Sequence, residues 1–163
     1  MPGKTALPRI FTDQTADQHG QMTIETTRAG LVLAHGSLTR EIIGAFYEVY
    51  NELGFGFSEA VYQRALPVAL LARGVSCELE LAFVVSFKGE VVGNFRADLI
   101  VGGKVIVECK TADQILPIHE TQILNYLKAT GIPLGLILNF GPKAMIRRLI
   151  LTTSEAGSAV IRS

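Results

Sequence analysis

The stretch Arg96-Ala97-Asp98-Leu99-Ile100-Val101-Gly102-Gly103-Lys104-Val105-Ile106-Val107-Glu108-Cys109-Lys110 decides how this chain folds. Two apolar, β-branched runs flank a glycine pair, which is the pattern of a hairpin. Ala97 to Val101 reads as one strand and Val105 to Lys110 as the next. Asp98, Glu108 and Lys110 interrupt sequence otherwise apolar enough for a core. Burying unpaired charge is expensive, so acids in such strands need a cation nearby. Glu108 and Lys110 are two residues apart and project from one strand face. The direction of Asp98 depends on the loop. A two-residue Gly102-Gly103 loop pairs Asp98 with Val107 and turns it away from Glu108. A three-residue loop, Gly102 to Lys104, pairs it with Glu108, and a bulge has the same effect. The convergent arrangement is the one expected.

Working outward, Ile42, Ile43, Phe46, Val49, Tyr50 and Leu53 recur at helical spacing, with Ser37 or Thr39 as N-cap and Gly54 as the stop. A Gly54-Phe55-Gly56-Phe57 elbow follows, and Ser58 caps a second helix to about Arg73. Pro67 lies inside that helix and predicts a kink or an earlier end. Cys77 to Phe87 and Glu90 to Phe95 read as strands joined at Lys88-Gly89. A third helix opens at Pro117 and stops at Gly131. Leu134 to Phe140 is apolar throughout, as in a strand covered on both faces, and Met145 to Leu151 is the last strand. Residues 1–36 read as a mobile N-terminal arm, with a short ordered piece at Leu31-Val32-Leu33. Residues 37–152 read as the folded domain and 153–163 as a frayed tail. Met22 is an alternative start to Met1. The order of elements gives an α/β fold: a mixed sheet flanked by helices.

Composition narrows the function classes. Hydrophobic residues make up 48% and charged residues 18%, so the chain is of the globular kind. Fifteen basic and 15 acidic residues leave a formal net charge of zero, which argues against a grip on nucleic acid by global charge. Cys77 and Cys109 lack metal spacing and read as free thiols of a reducing, cytoplasmic compartment. No apolar run reaches membrane-spanning length.

Two neighbouring carboxylates repel, and a hard divalent ion such as Mg²⁺ or Mn²⁺ is the usual remedy. Asp98 and Glu108 are the candidate ligands, the backbone carbonyl of Cys109 a third, and Lys110 stands where it stabilises charge on a phosphate. Glu59, in the first turn of the second helix, can reach the same place. Gln122 and Tyr126 are four apart and share a face of the third helix. Lys143, Arg147 and Arg148 are candidate phosphate contacts. His119 reads as a capping or surface residue. A glycosidase reading of the acid pair is disfavoured by the adjacent Lys110 and by the absence of Trp for sugar stacking.

Gly56-Phe57-Ser58-Glu59-Ala60-Val61-Tyr62 resembles the G-x-x-E-x-x-Y signature of the GxxExxY proteins, a branch of the PD-(D/E)xK superfamily. The likeness runs from about Thr39 to Ile150 and takes in Ala97 to Val101, Val107 to Lys110, Gln122 with Asn125 to Lys128, and Gly135 to Gly141. It implies a restriction-endonuclease-like αβββαβ core. It also implies metal ligands Asp98 and Glu108, a catalytic Lys110, a helix acid Glu59 and a polar Gln122. The elbow departs from a common Gly-Pro-Gly-Phe run. The function so implied is a Mg-dependent nuclease acting on DNA in preference to RNA. The alternative is a non-catalytic binding module for nucleic acid or protein that retains the fold.

Overall fold

The structure, a computed structural model, describes residues 10–12 and 35–151. Its elements are β1 (Ile10–Thr12), α1 (Gly36–Leu53), α2 (Glu59–Ala72), β2 (Cys77–Phe87), β3 (Glu90–Val101), β4 (Val105–Lys110), α3 (Pro117–Thr130), β5 (Leu134–Asn139) and β6 (Met145–Leu151). The strands form one sheet in the order β1-β6-β5-β4-β3-β2. Among the described strands only β4 and β5 run parallel, and every other neighbour is antiparallel. The parallel pair is joined through α3, as a crossover requires. This is the mixed α/β architecture expected from the hairpin and its surroundings.

Two apolar layers cover the sheet. On one face, Ile42, Phe46 and Val49 of α1 and Tyr62, Leu66 and Leu70 of α2 pack on Leu99, Val107, Cys109 and Leu136. On the other, Ile123, Leu124, Tyr126 and Leu127 of α3 pack on Ile100, Ile106 and Ile137. Strand β5 is buried at every position, which is why its sequence shows no alternation.

Glycines punctuate the helices as expected: Gly54 ends α1 with φ 68° and Gly131 ends α3 in the left-handed region. Several boundaries differ. Helix α1 begins at Gly36, one turn closed by the Thr39 N–H donating to the His35 carbonyl at 2.9 Å, so Thr39 is a buried interior residue and neither it nor Ser37 caps. Ser58 does occupy the N-cap of α2, without a side-chain cap bond, and that helix continues through Pro67 to Ala72. The two strands expected at Glu90–Phe95 and Ala97–Val101 are one, because Arg96 stays in the ladder opposite Ala82. Ile10–Thr12 adds a strand beside β6 inside the stretch read as an arm. Leu31 to Leu33 and the tail from Thr152 lie outside the described residues.

A lone polar residue ends the apolar β5 strand. Asn139 is fully buried, and its side chain clips the loop after β4 from both sides. Its Oδ1 accepts from the Ala112 N–H at 2.9 Å, and its Nδ2 donates to the Ala112 carbonyl at 2.8 Å. Gly141 allows that approach, since an added Cβ would collide with the Ala112 carbonyl. The chain leaving Lys110 is therefore fixed to the neighbouring strand.

Candidate active site

The hairpin closes with Val101 opposite Val105, and the ladder continues through Ile100↔Ile106 to Leu99↔Val107. That is the three-residue loop, with Gly102 at φ 57° and Gly103 at φ 66° supplying the left-handed backbone. At Asp98 the regular ladder stops. The Asp98 N–H donates to Glu108 Oε1 at 3.3 Å, and Asp98 Oδ2 accepts from the Cys109 N–H at 2.9 Å. Carboxylates thus stand in for the backbone partners that the parting strands have lost. Alternation also breaks there: Ala97 and Ile100, three apart, both join the α3-side cluster. Glu80 across the β2–β3 pair takes φ 50°, a left-handed conformation uncommon outside glycine. Asp98 and Glu108 converge, through this irregularity as much as through the loop.

Glu108 is 2% exposed, so its charge is desolvated. Burial, reinforced by the negative charge of Asp98, raises its pKa from 4.5 to about 8, against the opposing pull of Lys110. Lys110 Nζ lies 3.6 Å from Glu108 Oε2 and 3.9 Å from Glu59 Oε1. Charge-assisted hydrogen bonds close to about 2.7–2.9 Å. The ammonium thus stands between two acids without being tightly bound by either. Desolvation also raises the pKa of Glu59, with Lys110 lowering it and Asp98 adding to the rise. The Cys109 thiol is buried on the opposite face and its pKa is pushed well up, which keeps it neutral and leaves only its main chain available to the site.

Helix α3 adds a polar pair. Gln122 Nε2 donates to the Tyr126 hydroxyl at 2.8 Å. The Tyr126 pKa is raised mainly by burial, with smaller influences from Gln122, Glu108, Lys110 and Asp98, so its hydroxyl is within electrostatic reach of the acids. His119 accepts the Leu116 N–H at 3.1 Å, a cap for the helix start. Its pKa is lowered by desolvation and then by Lys110.

Other expected residues go elsewhere. Arg147 shares the α3-side row with Glu108 and Ile137 but is paired to Glu120, Nε to Oε1 2.9 Å, without hydrogen-bond alignment. Arg148 sits opposite Leu136 and so belongs to the other face of the sheet. The structure does not bring it to the acids. Tyr62 is fully buried and touches the site only indirectly. Its hydroxyl donates to the Gly54 carbonyl at 2.7 Å and accepts the Phe57 N–H at 3.3 Å, while its ring stacks on Phe140. It clamps the elbow that delivers Glu59. Tyr62→Phe leaves two partly solvated backbone groups without their side-chain partner and is expected to cost about 1 kcal/mol in urea unfolding.

With that geometry in view, the sequence matches the family model described as the PD-(D/E)XK nuclease superfamily over residues 36–149. The chain belongs to the PD-(D/E)XK nuclease superfamily. No curated protein matches it. Among solved structures it is similar to the crystal structure of SSO0001, with 23% identity and a TM-score of 0.48. That alignment covers 76% of this chain and 62% of the other, so the chain spans less than two thirds of that structure's length. As a PD-(D/E)XK superfamily member, the chain carries a nuclease-type architecture.

Among the described residues, no three His, Cys, Asp or Glu side chains close on a single point. The donors at the parting strands are two carboxylates and main chain, with Glu59 across Lys110. That set suits a hard ion that keeps several waters, as Mg²⁺ and Mn²⁺ do, rather than an ion in an all-protein cage. The pKa of Glu108, raised first by burial and then by Asp98, is one that a bound cation would bring down. The residues fit a divalent cation. Asn139 is the site-supporting residue that sequence reasoning missed; the signal was a lone amide at the end of an apolar run.

Proposed function

We propose that this chain is a metal-dependent nuclease, of the GxxExxY branch, that hydrolyses phosphodiester bonds of DNA in preference to RNA. The observation that carries the reading is the pairing of two acids at the point where β3 and β4 part, with a lysine ammonium 3.6 Å from the buried one. Asp98, Glu108 and the Cys109 carbonyl would hold Mg²⁺ or Mn²⁺. When bound, that ion supplies Lewis-acid polarisation of the phosphodiester and a more acidic water. Lys110 contributes fixed positive charge beside the phosphate oxygens, where negative charge grows in the transition state. Glu59, its pKa raised, is suited to take up the proton that the attacking water gives up. Gln122, held by Tyr126, positions a water or a phosphate oxygen. We place the activity in residues 37–152 and in a reducing cytoplasmic setting, in keeping with the free Cys77 and Cys109. Among the described residues no helix is long and apolar enough to cross a membrane.

The test is cleavage of plasmid, single-stranded DNA and RNA with Mg²⁺ or Mn²⁺ against a chelated control. Metal-dependent cleavage of DNA that disappears in Asp98→Asn is the expected result. Metal binding in calorimetry with no cleavage of any substrate would instead favour the binding module.

A further inference from the structure

Exposed aromatic rings flank two members of the acid–lysine cluster along the chain, on two different elements. Phe55 and Phe57 are 60% and 52% exposed, in the elbow that ends two residues before Glu59. Gly54 at φ 68° and Gly56 at φ 111° shape that elbow, and the Tyr62 hydroxyl ties it down. Its rings are thus presented on an anchored turn, not folded back into the core. On β3, Phe95 is 42% exposed and lies three residues before Asp98. It stacks on Phe83 at 6.0 Å and meets Tyr126 edge-on at 6.2 Å.

The charge around the cluster points the same way. A duplex is gripped chiefly by neutralising its phosphates with clustered Lys and Arg. Here Arg147 is occupied by Glu120 and Arg148 belongs to the opposite face, which leaves the exposed Lys143 alone of the three candidate phosphate contacts, and the whole chain has a formal net charge of zero. What the elbow and β3 offer instead is exposed π-surface, which binds unstacked bases of any sequence. In a duplex the bases are stacked on one another and their faces are unavailable.

Resting on the nuclease reading above, we infer that the site takes single-stranded or splayed nucleic acid. Bases stack on Phe57 and Phe95 while the phosphate between them faces Lys110. A protein partner is the competing occupant of the same rings.

Fluorescence anisotropy of the full chain, with Ca²⁺ replacing Mn²⁺ to read binding without turnover, tests this. The probes are a short oligothymidine, an abasic strand of equal length and a duplex. Oligothymidine is expected to bind tightest. Phe57→Ala and Phe95→Ala should each weaken it about tenfold and leave the abasic strand unaffected, and Phe57→Tyr should restore it. Equal affinity for the abasic strand, preference for the duplex, or no effect of either alanine would overturn the stacking inference alone. Failure to bind any nucleic acid, with Mn²⁺ binding intact in calorimetry, would overturn the nuclease reading too and leave the rings to a protein.

Discussion

Replacing Lys110 with alanine is expected to lower metal-dependent DNA cleavage by about two to three orders of magnitude, with little loss of folding stability. The first part follows from position. The ammonium lies 3.6 Å and 3.9 Å from two carboxylates, further than a tight ion pair, so its charge is available to a phosphate. Removing it takes away a charge that matters most as the transition state gains negative charge. The second part follows from Glu108, which is protonated below a pKa of about 8. Without Lys110 the acid keeps its proton, and no bare buried charge is created near neutral pH. Lys110→Met, which keeps the apolar stem, should behave alike in cleavage and unfold at the same denaturant concentration as the parent. A large stability loss in both variants with unchanged cleavage would make the lysine a structural counter-ion.

The second large effect concerns pH. With metal chelated, the folded chain holds the Glu108 proton up to about pH 8, whereas the unfolded chain releases it near 4.5. Between those values the native state binds more protons, so stability falls as pH rises. The contribution is fully present below the lower value and lost above the upper one. Its ceiling is roughly 5 kcal/mol. Metal reverses the sense, because a cation must displace that proton. Mn²⁺ affinity should therefore climb by up to about tenfold per pH unit toward pH 8 and then level. Glu108→Gln should flatten the metal-free pH profile and remove the rise in melting temperature that Mn²⁺ gives the parent. A parent profile that is already flat, or a glutamine variant still stabilised by Mn²⁺, would contradict this role for Glu108.

The sequence made some of this legible and hid the rest for physical reasons. The glycine pair and the two-residue spacing of Glu108 and Lys110 are local, and they sufficed for the hairpin and for one face of the site. The apolar, β-branched make-up of β2 and β4 and the glycine stops of α1 and α3 are local in the same way. The break in alternation at Asp98 depends on Glu80 in another strand, and nothing near Asp98 announces it. Nor does the run Met145 to Leu151 say which arginine faces α3, because that is set by pairing with β5. Tyr62 was visible as part of a motif, but its reach back to Gly54 and Phe57 belongs to the folded elbow. Asn139 and Ala112 are 27 residues apart and meet only through the parallel β4–β5 pair.

Anomalous diffraction from crystals grown with Mn²⁺ is the most direct measurement. A peak is expected within about 2.5 Å of carboxylate oxygens from both Asp98 and Glu108, lost in Glu108→Gln. A Mn²⁺-saturated protein with no ion there, and with Lys110 bonded directly to Glu108, would mean that the buried acid is held by the lysine alone.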